Sequence, residues 1–93
     1  MPDTSQFRES VFMRDEYEEA ARQALEEAGN ARFTFGPFNS PHEGYAVLLE
    51  EVHELWAEVM ASKHGGNEAS KRKMNREAMQ VAAMAICFMV EST

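Results

Sequence analysis

The chain has 93 residues with seven methionines, six phenylalanines and one tryptophan, enough for one small domain with a single apolar core. Its net charge of −7 argues against general binding to nucleic acids or to anionic membranes. One cysteine, no signal-peptide pattern and no apolar run long enough to span a bilayer together predict a soluble cytoplasmic protein without disulfides.

Charge is distributed unevenly along the sequence. Residues 1–62 contain 13 acidic residues and four arginines, whereas residues 63–93 contain five basic and three acidic residues. The two regions can attract each other, or they can jointly hold a charged ligand such as a metal–phosphate complex.

The first predicted helix runs from about Ser5 to Ala28. Apolar residues recur in it at helical spacing, and Gly29-Asn30 supplies a helix stop signal. The remaining surface is charged and mixed in sign, which is typical of a solvated helix.

A loop is predicted next, in "NARFTFGPFNSP", because Gly36 and Pro37 interrupt regular structure. Phe33, Phe35 and Phe38 are interpreted as anchors of this loop to the core. Two alternatives stay open: a short strand around Phe33 and Phe35, or stacking of these rings on a ligand base.

The second predicted helix has a clear start. Ser40 is an N-cap, Pro41 is the first helical residue, and Glu43 completes the pattern of a capping box. The helix is expected to reach about Ser62, where Gly65-Gly66 breaks it.

The two faces of this second helix differ in polarity. The predicted core face holds Tyr45, Leu48, Val52, Leu55, Trp56 and Val59, and the opposite face holds Glu43, Glu50, Glu51, Glu54 and Glu58. No arginine or lysine lies between Arg32 and Lys63, so like charges stand three and four residues apart and repel. The acidic face is either a solvated surface or a set of oxygen ligands for a divalent cation.

The third predicted helix begins near Asn67 or Ser70 and continues to the C-terminus. Its segment Val81–Val90 has no polar side chain and is apolar on all sides, which indicates burial all round. Two other helices cannot easily surround it, so a homo-oligomer is expected.

Glu77 and Gln80 stand one turn apart just before this apolar segment. Four basic residues precede them, namely Lys71, Arg72, Lys73 and Arg76. Cations near a helix N-terminus oppose the macrodipole, so they require a compensating partner. That partner is either the glutamates of the second helix or the oxygens of a phosphate.

The combined pattern resembles the MazG-like all-α nucleoside triphosphate pyrophosphohydrolases. That family has Glu-Glu-x-x-Glu on one helix and Glu-x-x-Asp on the next, and here Glu50-Glu51-x-x-Glu54 is followed by Glu77-x-x-Gln80. The segments "GPFNSPHEGYAVLLEEVHELWAEV" and "REAMQVAAMAI" look especially like a small branch of the family found in phages and bacteria. The resemblance covers about residues 36–90 of a single domain, 1–93.

The resemblance implies an all-α helical bundle completed as a homodimer or homotetramer, with Mg²⁺, or alternatively Mn²⁺, as cofactor. Members hydrolyse (d)NTPs to the monophosphate and pyrophosphate. By position, Glu51, Glu54 and Glu77 are the implied metal ligands, and Glu50 supports the metal or orients water. Lys71, Lys73 and Arg76 are candidates to hold the substrate phosphates.

Gln80 departs from the family pattern, since it replaces an aspartate. Its amide still offers a carbonyl oxygen as a metal ligand, but one negative charge is lost. A second hypothesis is therefore an inactive MazG-like oligomer that binds nucleotides or proteins. A third is a purely structural helical protein.

Overall fold

The computed structural model describes residues 11–62 and 67–91, which form three α-helices and no strand. The helices are α1 (Val11–Phe35), α2 (Pro41–Ser62) and α3 (Glu68–Glu91). The predicted all-α class is confirmed, while the expected start near Ser5 lies outside the described residues. Within the described ranges, no helix is long and apolar enough to cross a membrane.

The end of α1 differs from the prediction. The helix continues through Gly29-Asn30 to Phe35, so the expected stop and the expected loop or strand around Phe35 are wrong. The helix ends instead at Gly36, whose φ of 73° is left-handed and whose N–H donates to the Arg32 carbonyl oxygen at 3.0 Å. Pro37 then prevents further helix.

Packing explains why α1 passes through Gly29. A glycine inside a helix costs about 1 kcal/mol relative to alanine. Ala28 and Ala31, on either side of it, are buried against Ala83 and Met84 of α3, and this burial favours a continuous helix. Among the residues that the structure describes, the buried hydrophobic ones are Ala24, Ala28, Ala31, Ala83, Met84 and Cys87.

The last helix, α3, lies between the other two. It packs against both α1 and α2, whereas α1 and α2 do not pack on each other over the residues described. This arrangement buries Ala83 and Cys87 in the middle of the apolar segment. Within one chain the segment is not buried on every side, because Met89 and Val90 are 72% and 70% exposed. The expected burial of this end of the segment by a second copy stays a prediction.

Local capping fixes the starts of α2 and α3, and the cap of α2 at Ser40 is the predicted one. The Ser40 hydroxyl accepts the Glu43 N–H at 3.1 Å, and the Asn67 side-chain oxygen accepts the Ser70 N–H at 2.9 Å. The backbone N–H and the side-chain amide of Asn39 both donate to the Glu43 carboxylate at 3.0 Å. The glutamate thus binds one residue earlier than in a standard capping box.

The orientation of α2 corrects the predicted core face. Gly44 is buried, and a Cβ there would lie 2.9 Å from ring carbons of both Phe38 and Phe88. This close approach turns the side of α2 that bears Leu48 and Glu51 toward α3. Four residues of the predicted core face are consequently exposed, namely Tyr45, Val52, Trp56 and Val59.

Candidate metal centre and adjoining cleft

Three carboxylates meet where α2 faces α3. Glu51 and Glu54 lie three residues apart on α2, and Glu77 lies on α3. Each offers a carboxylate oxygen, and these oxygens all lie within 4.8 Å of one another. The structure therefore brings together three of the four predicted acidic site residues, while Glu50 is exposed and lies outside this group. We call Glu51, Glu54 and Glu77 the carboxylate cluster.

Mutual repulsion and burial change the acidity of the carboxylate cluster. Partial burial, then the charge of Glu54 and a hydrogen bond with it, raise the pKa of Glu51 to about 7. The pKa of Glu77 is also raised, first by burial and then by a hydrogen bond with Glu54, against the opposing charge of Arg76. The cluster therefore holds a proton near neutral pH that a cation of higher charge can displace.

The donor set fits a hard divalent cation. Carboxylate oxygens are the ligands that Mg²⁺ prefers, and Mg²⁺ usually keeps several waters beside one or two protein carboxylates. Glu51 and Glu77 are half-buried, whereas Glu54 is exposed, so the cluster is partly covered by protein and partly open to solvent. A bound cation would relieve the repulsion among the three glutamates.

The predicted phosphate-binding cations are all exposed on the first turns of α3. Lys71 pairs within its own helix, with Glu68 at 3.6 Å. Lys73 lies one turn before Glu77, and Arg76 directly precedes Glu77 in the sequence. In the described parts of the chain, no ion pair joins these cations to the glutamates of α2.

A cleft of about 680 Å³ adjoins the carboxylate cluster. It lies between the end of α1 and the first half of α2, and Met84 and Gln80 of α3 contribute to its wall. Glu51 belongs to both the cleft and the cluster. The other polar lining residues are Glu27, Asn30, Arg32, Thr34, Asn39 and Glu43. The volume lies within the usual range of small-molecule sites.

A pair of charged residues anchors one wall of this cleft. Arg32 Nε lies 2.8 Å from Glu91 Oε2, and the other Glu91 oxygen accepts the Phe38 N–H at 2.9 Å. The Arg32 guanidinium also donates to the Gly36 carbonyl and to Cys87 Sγ, and it lies 4.6 Å from the centroid of the Phe38 ring. The connection between α1 and α2 is thereby tied to the end of α3.

The three phenylalanines have different environments. Phe38 packs against the core, which confirms its role as an anchor. Phe33 and Phe35 are helical and 95% and 84% exposed, so the anchoring prediction is wrong for these two. Phe35 lines the cleft and Phe33 does not.

Most of the cleft gives no signal in the sequence. Asn30 and Asn39 gave no periodic signal, and the contact of Arg32 with Glu91 joins residues too distant in sequence for any local pattern to indicate it. Gln80 was noted for its position in the motif, not as part of a cleft.

Comparison with known proteins gives no relative. No family model matches the chain, and no curated protein or solved structure matches it. A function for the carboxylate cluster and the cleft therefore has to be argued from their own chemistry.

Proposed function

We propose that the protein is a Mg²⁺-dependent nucleoside triphosphate pyrophosphohydrolase of the MazG-like type, with Mn²⁺ as an alternative cofactor. The observation that supports this most is the carboxylate cluster, with its oxygens within 4.8 Å, at the edge of a cleft of about 680 Å³. A metal–triphosphate complex needs such a cluster, and a nucleoside needs such a cleft.

The proposed reaction converts a (d)NTP and water into a (d)NMP and pyrophosphate. The water oxygen bonds to the α-phosphorus, and the bond from that phosphorus to the oxygen bridging the α- and β-phosphates breaks. Glu51, Glu54 and Glu77 hold the cofactor, and Glu50, which lies outside the cluster, orients the attacking water and accepts its proton. When bound, Mg²⁺ neutralises charge on the phosphate oxygens.

Basic residues on α3 are proposed to hold the leaving pyrophosphate. Lys73 and Arg76 lie within one turn of Glu77 on α3, and their side chains are exposed. Lys71 is the weaker of the three candidates, because Glu68 already pairs with it.

We further propose that the chain works as a homodimer or homotetramer. Tyr45, Val52, Trp56 and Val59 recur on one side of α2 and are 40–60% exposed. We call these four residues the α2 stripe. An aromatic and aliphatic surface of this kind is typical of a subunit interface.

The decisive experiment is an assay of all common NTPs and dNTPs with Mg²⁺ or Mn²⁺, with ³¹P NMR identifying the products. We expect monophosphate and pyrophosphate from at least one nucleotide. Glu54→Gln should reduce turnover at least about 100-fold, as expected when a group acting on the transition state is lost. Glu16→Gln serves as the matched control. Glu16 is exposed on α1 and far along the chain from the cluster, so its substitution should leave turnover unchanged.

Gln80 motivates the second candidate function, an inactive relative that binds nucleotides or proteins. It predicts no turnover with any nucleotide in either metal. Calorimetry separates the candidates, because the enzyme should bind Mn²⁺ at millimolar concentration and lose that binding in Glu54→Gln.

A further inference from the structure

The cleft beside the carboxylate cluster has a lining of mixed chemistry. Glu51, which belongs to the cluster, and Gln80 line it together with Phe35 and Pro37. Asn30 and Asn39 contribute further side-chain amides to its lining. Each amide offers both a donor and an acceptor, which suits the ring nitrogens and carbonyls of a base and the hydroxyls of a sugar.

Gln80 belongs to the cleft, whereas Glu77, one turn earlier on α3, does not line it. The two residues therefore present their side chains to different surroundings although they belong to the same sequence motif. A carboxylate in place of Gln80 would add a further acidic group to the cleft wall that Glu51 already lines, and the two would repel each other. A neutral amide there avoids repelling a triphosphate and can donate a hydrogen bond to it.

The two aromatic rings of the cleft also differ in availability. The ring of Phe38 is covered by the Arg32 guanidinium at 4.6 Å and contacts the buried Gly44. Phe35 lines the cleft and is 84% exposed, so its ring face is free to contact a planar ligand. Phe38 also lines the cleft, and its N–H donates to Glu91 at the end of α3.

We propose that the cleft binds the nucleoside part of the substrate, with Phe35 stacking on the base and the Gln80 amide bonding to the nucleotide where it meets the carboxylate cluster. Gln80 is thus a substrate-binding residue and not a weakened metal ligand. This inference rests on the proposed function for the identity of its ligand, but it concerns binding and can be tested without turnover.

The test measures binding of the common ribo- and deoxyribonucleoside monophosphates to the full chain without metal, by ¹H–¹⁵N NMR titration. The monophosphate that binds wild type most tightly is then used with Gln80→Ala and Phe35→Ala. Each substitution should raise its Kd by about 5- to 10-fold, the effect of one neutral hydrogen bond or one stacking contact. Mn²⁺ affinity, measured by calorimetry without nucleotide, should stay at the wild-type value in both variants.

Two matched controls are available. Gln23→Ala removes a glutamine of α1 that does not line the cleft, and Phe33→Ala removes a phenylalanine that is 95% exposed two residues before Phe35. Neither should change the Kd for the monophosphate. Gln80→Glu keeps the side-chain length, so it tests the same residue if Gln80→Ala fails to fold. It should also weaken monophosphate binding, because its carboxylate repels the phosphate.

Several results would overturn the proposal. These are failure of every monophosphate to bind wild type, equal effects of Phe33→Ala and Phe35→Ala, or loss of Mn²⁺ affinity in Gln80→Ala. A gain of turnover in Gln80→Asp would likewise identify a missing metal ligand. If monophosphates bind through Gln80 and Phe35 but no nucleotide is hydrolysed, the cleft inference stands and the proposed hydrolase function is wrong.

Discussion

Arg32 near the end of α1 and Glu91 at the end of α3 form an ion pair of 2.8 Å that joins distant parts of the chain. Their side chains are only 24% and 13% exposed, and Glu91 also accepts the Phe38 N–H. An ion pair in this environment is weakly screened by water, unlike the surface pairs of α1.

Glu91→Ala should lower the free energy of unfolding by about 1–3 kcal/mol, since it removes a charged partner from Arg32 and an acceptor from Phe38. Urea denaturation followed by circular dichroism measures the change. Glu26→Ala is the matched control, because Glu26 lies at the same 2.8 Å from Arg22 but both side chains are more than half exposed. Similar effects of the two substitutions would contradict a structural role for the Arg32–Glu91 pair.

Two glycines inside helices predict opposite responses to alanine. At Gly44 a Cβ would lie 2.9 Å from two phenylalanine rings, whereas at Gly29 nothing lies within 4 Å. Gly44→Ala should destabilise the fold by about 1–2 kcal/mol, as crowding outweighs the better helix propensity of alanine. Gly29→Ala should stabilise it by about 0.5–1 kcal/mol. Thermal unfolding of both variants gives the measurement, and stabilisation by Gly44→Ala would refute the close approach of α2.

The sequence predicted the helices better than their contacts. Caps at Ser40 and Asn67 and the run of apolar residues in α3 are local signals, so these elements were found close to their true bounds. The end of α1 was missed because packing of Ala28 and Ala31 outweighs the local preference of Gly29 for a stop.

In the candidate site, too, local sequence signals predicted some features and tertiary contacts determined the others. The resemblance to the MazG-like motif implied that Glu51, Glu54 and Glu77 act as one group, and their oxygens do lie together. The cleft could not be predicted, because its walls come from all three helices and from the turn at Gly36. The orientation of α2 depends on Gly44 fitting between two rings, a tertiary contact that hydrophobic periodicity does not record.

Stability should depend on pH through the carboxylate cluster. The pKa of Glu51 is about 7 in the folded protein against an ordinary value of 4.5, so the folded state retains a proton that the unfolded state has released. The free energy of unfolding should therefore fall as pH rises from about 4.5 to 7 and then stay at the lower value. Glu51→Gln should flatten this decrease, as read from melting temperatures at pH 5, 6, 7 and 8.

Magnesium should reverse that loss of stability. A divalent cation binds the deprotonated carboxylates, so Mg²⁺ should raise the melting temperature more at pH 8 than at pH 5. NaCl of equal ionic strength controls for screening and should give a smaller increase. An identical response to both salts at pH 8 would show that the cluster does not bind Mg²⁺.

The α2 stripe gives the prediction on assembly. Its residues Tyr45, Val52, Trp56 and Val59 recur at helical spacing on one side of α2, and Trp56 in their middle is 60% exposed. Aromatic residues at the centre of an interface contribute most of the binding energy, so Trp56→Glu should convert an oligomer at micromolar concentration into a monomer. Sedimentation velocity measures this change, and Leu25→Glu, at a residue of α1 that is 62% exposed, is the matched control.

The effect of Trp56→Glu on stability separates an interface from a buried core contact. Because Trp56 is exposed within one chain, the dissociated variant should keep its helical circular dichroism spectrum. The melting temperature of wild type should rise with protein concentration, while that of Trp56→Glu should not, since only an associating chain gains stability by mass action. A wild-type chain that sediments as a monomer, or a Trp56→Glu variant that associates as wild type does, would exclude the α2 stripe as the subunit interface.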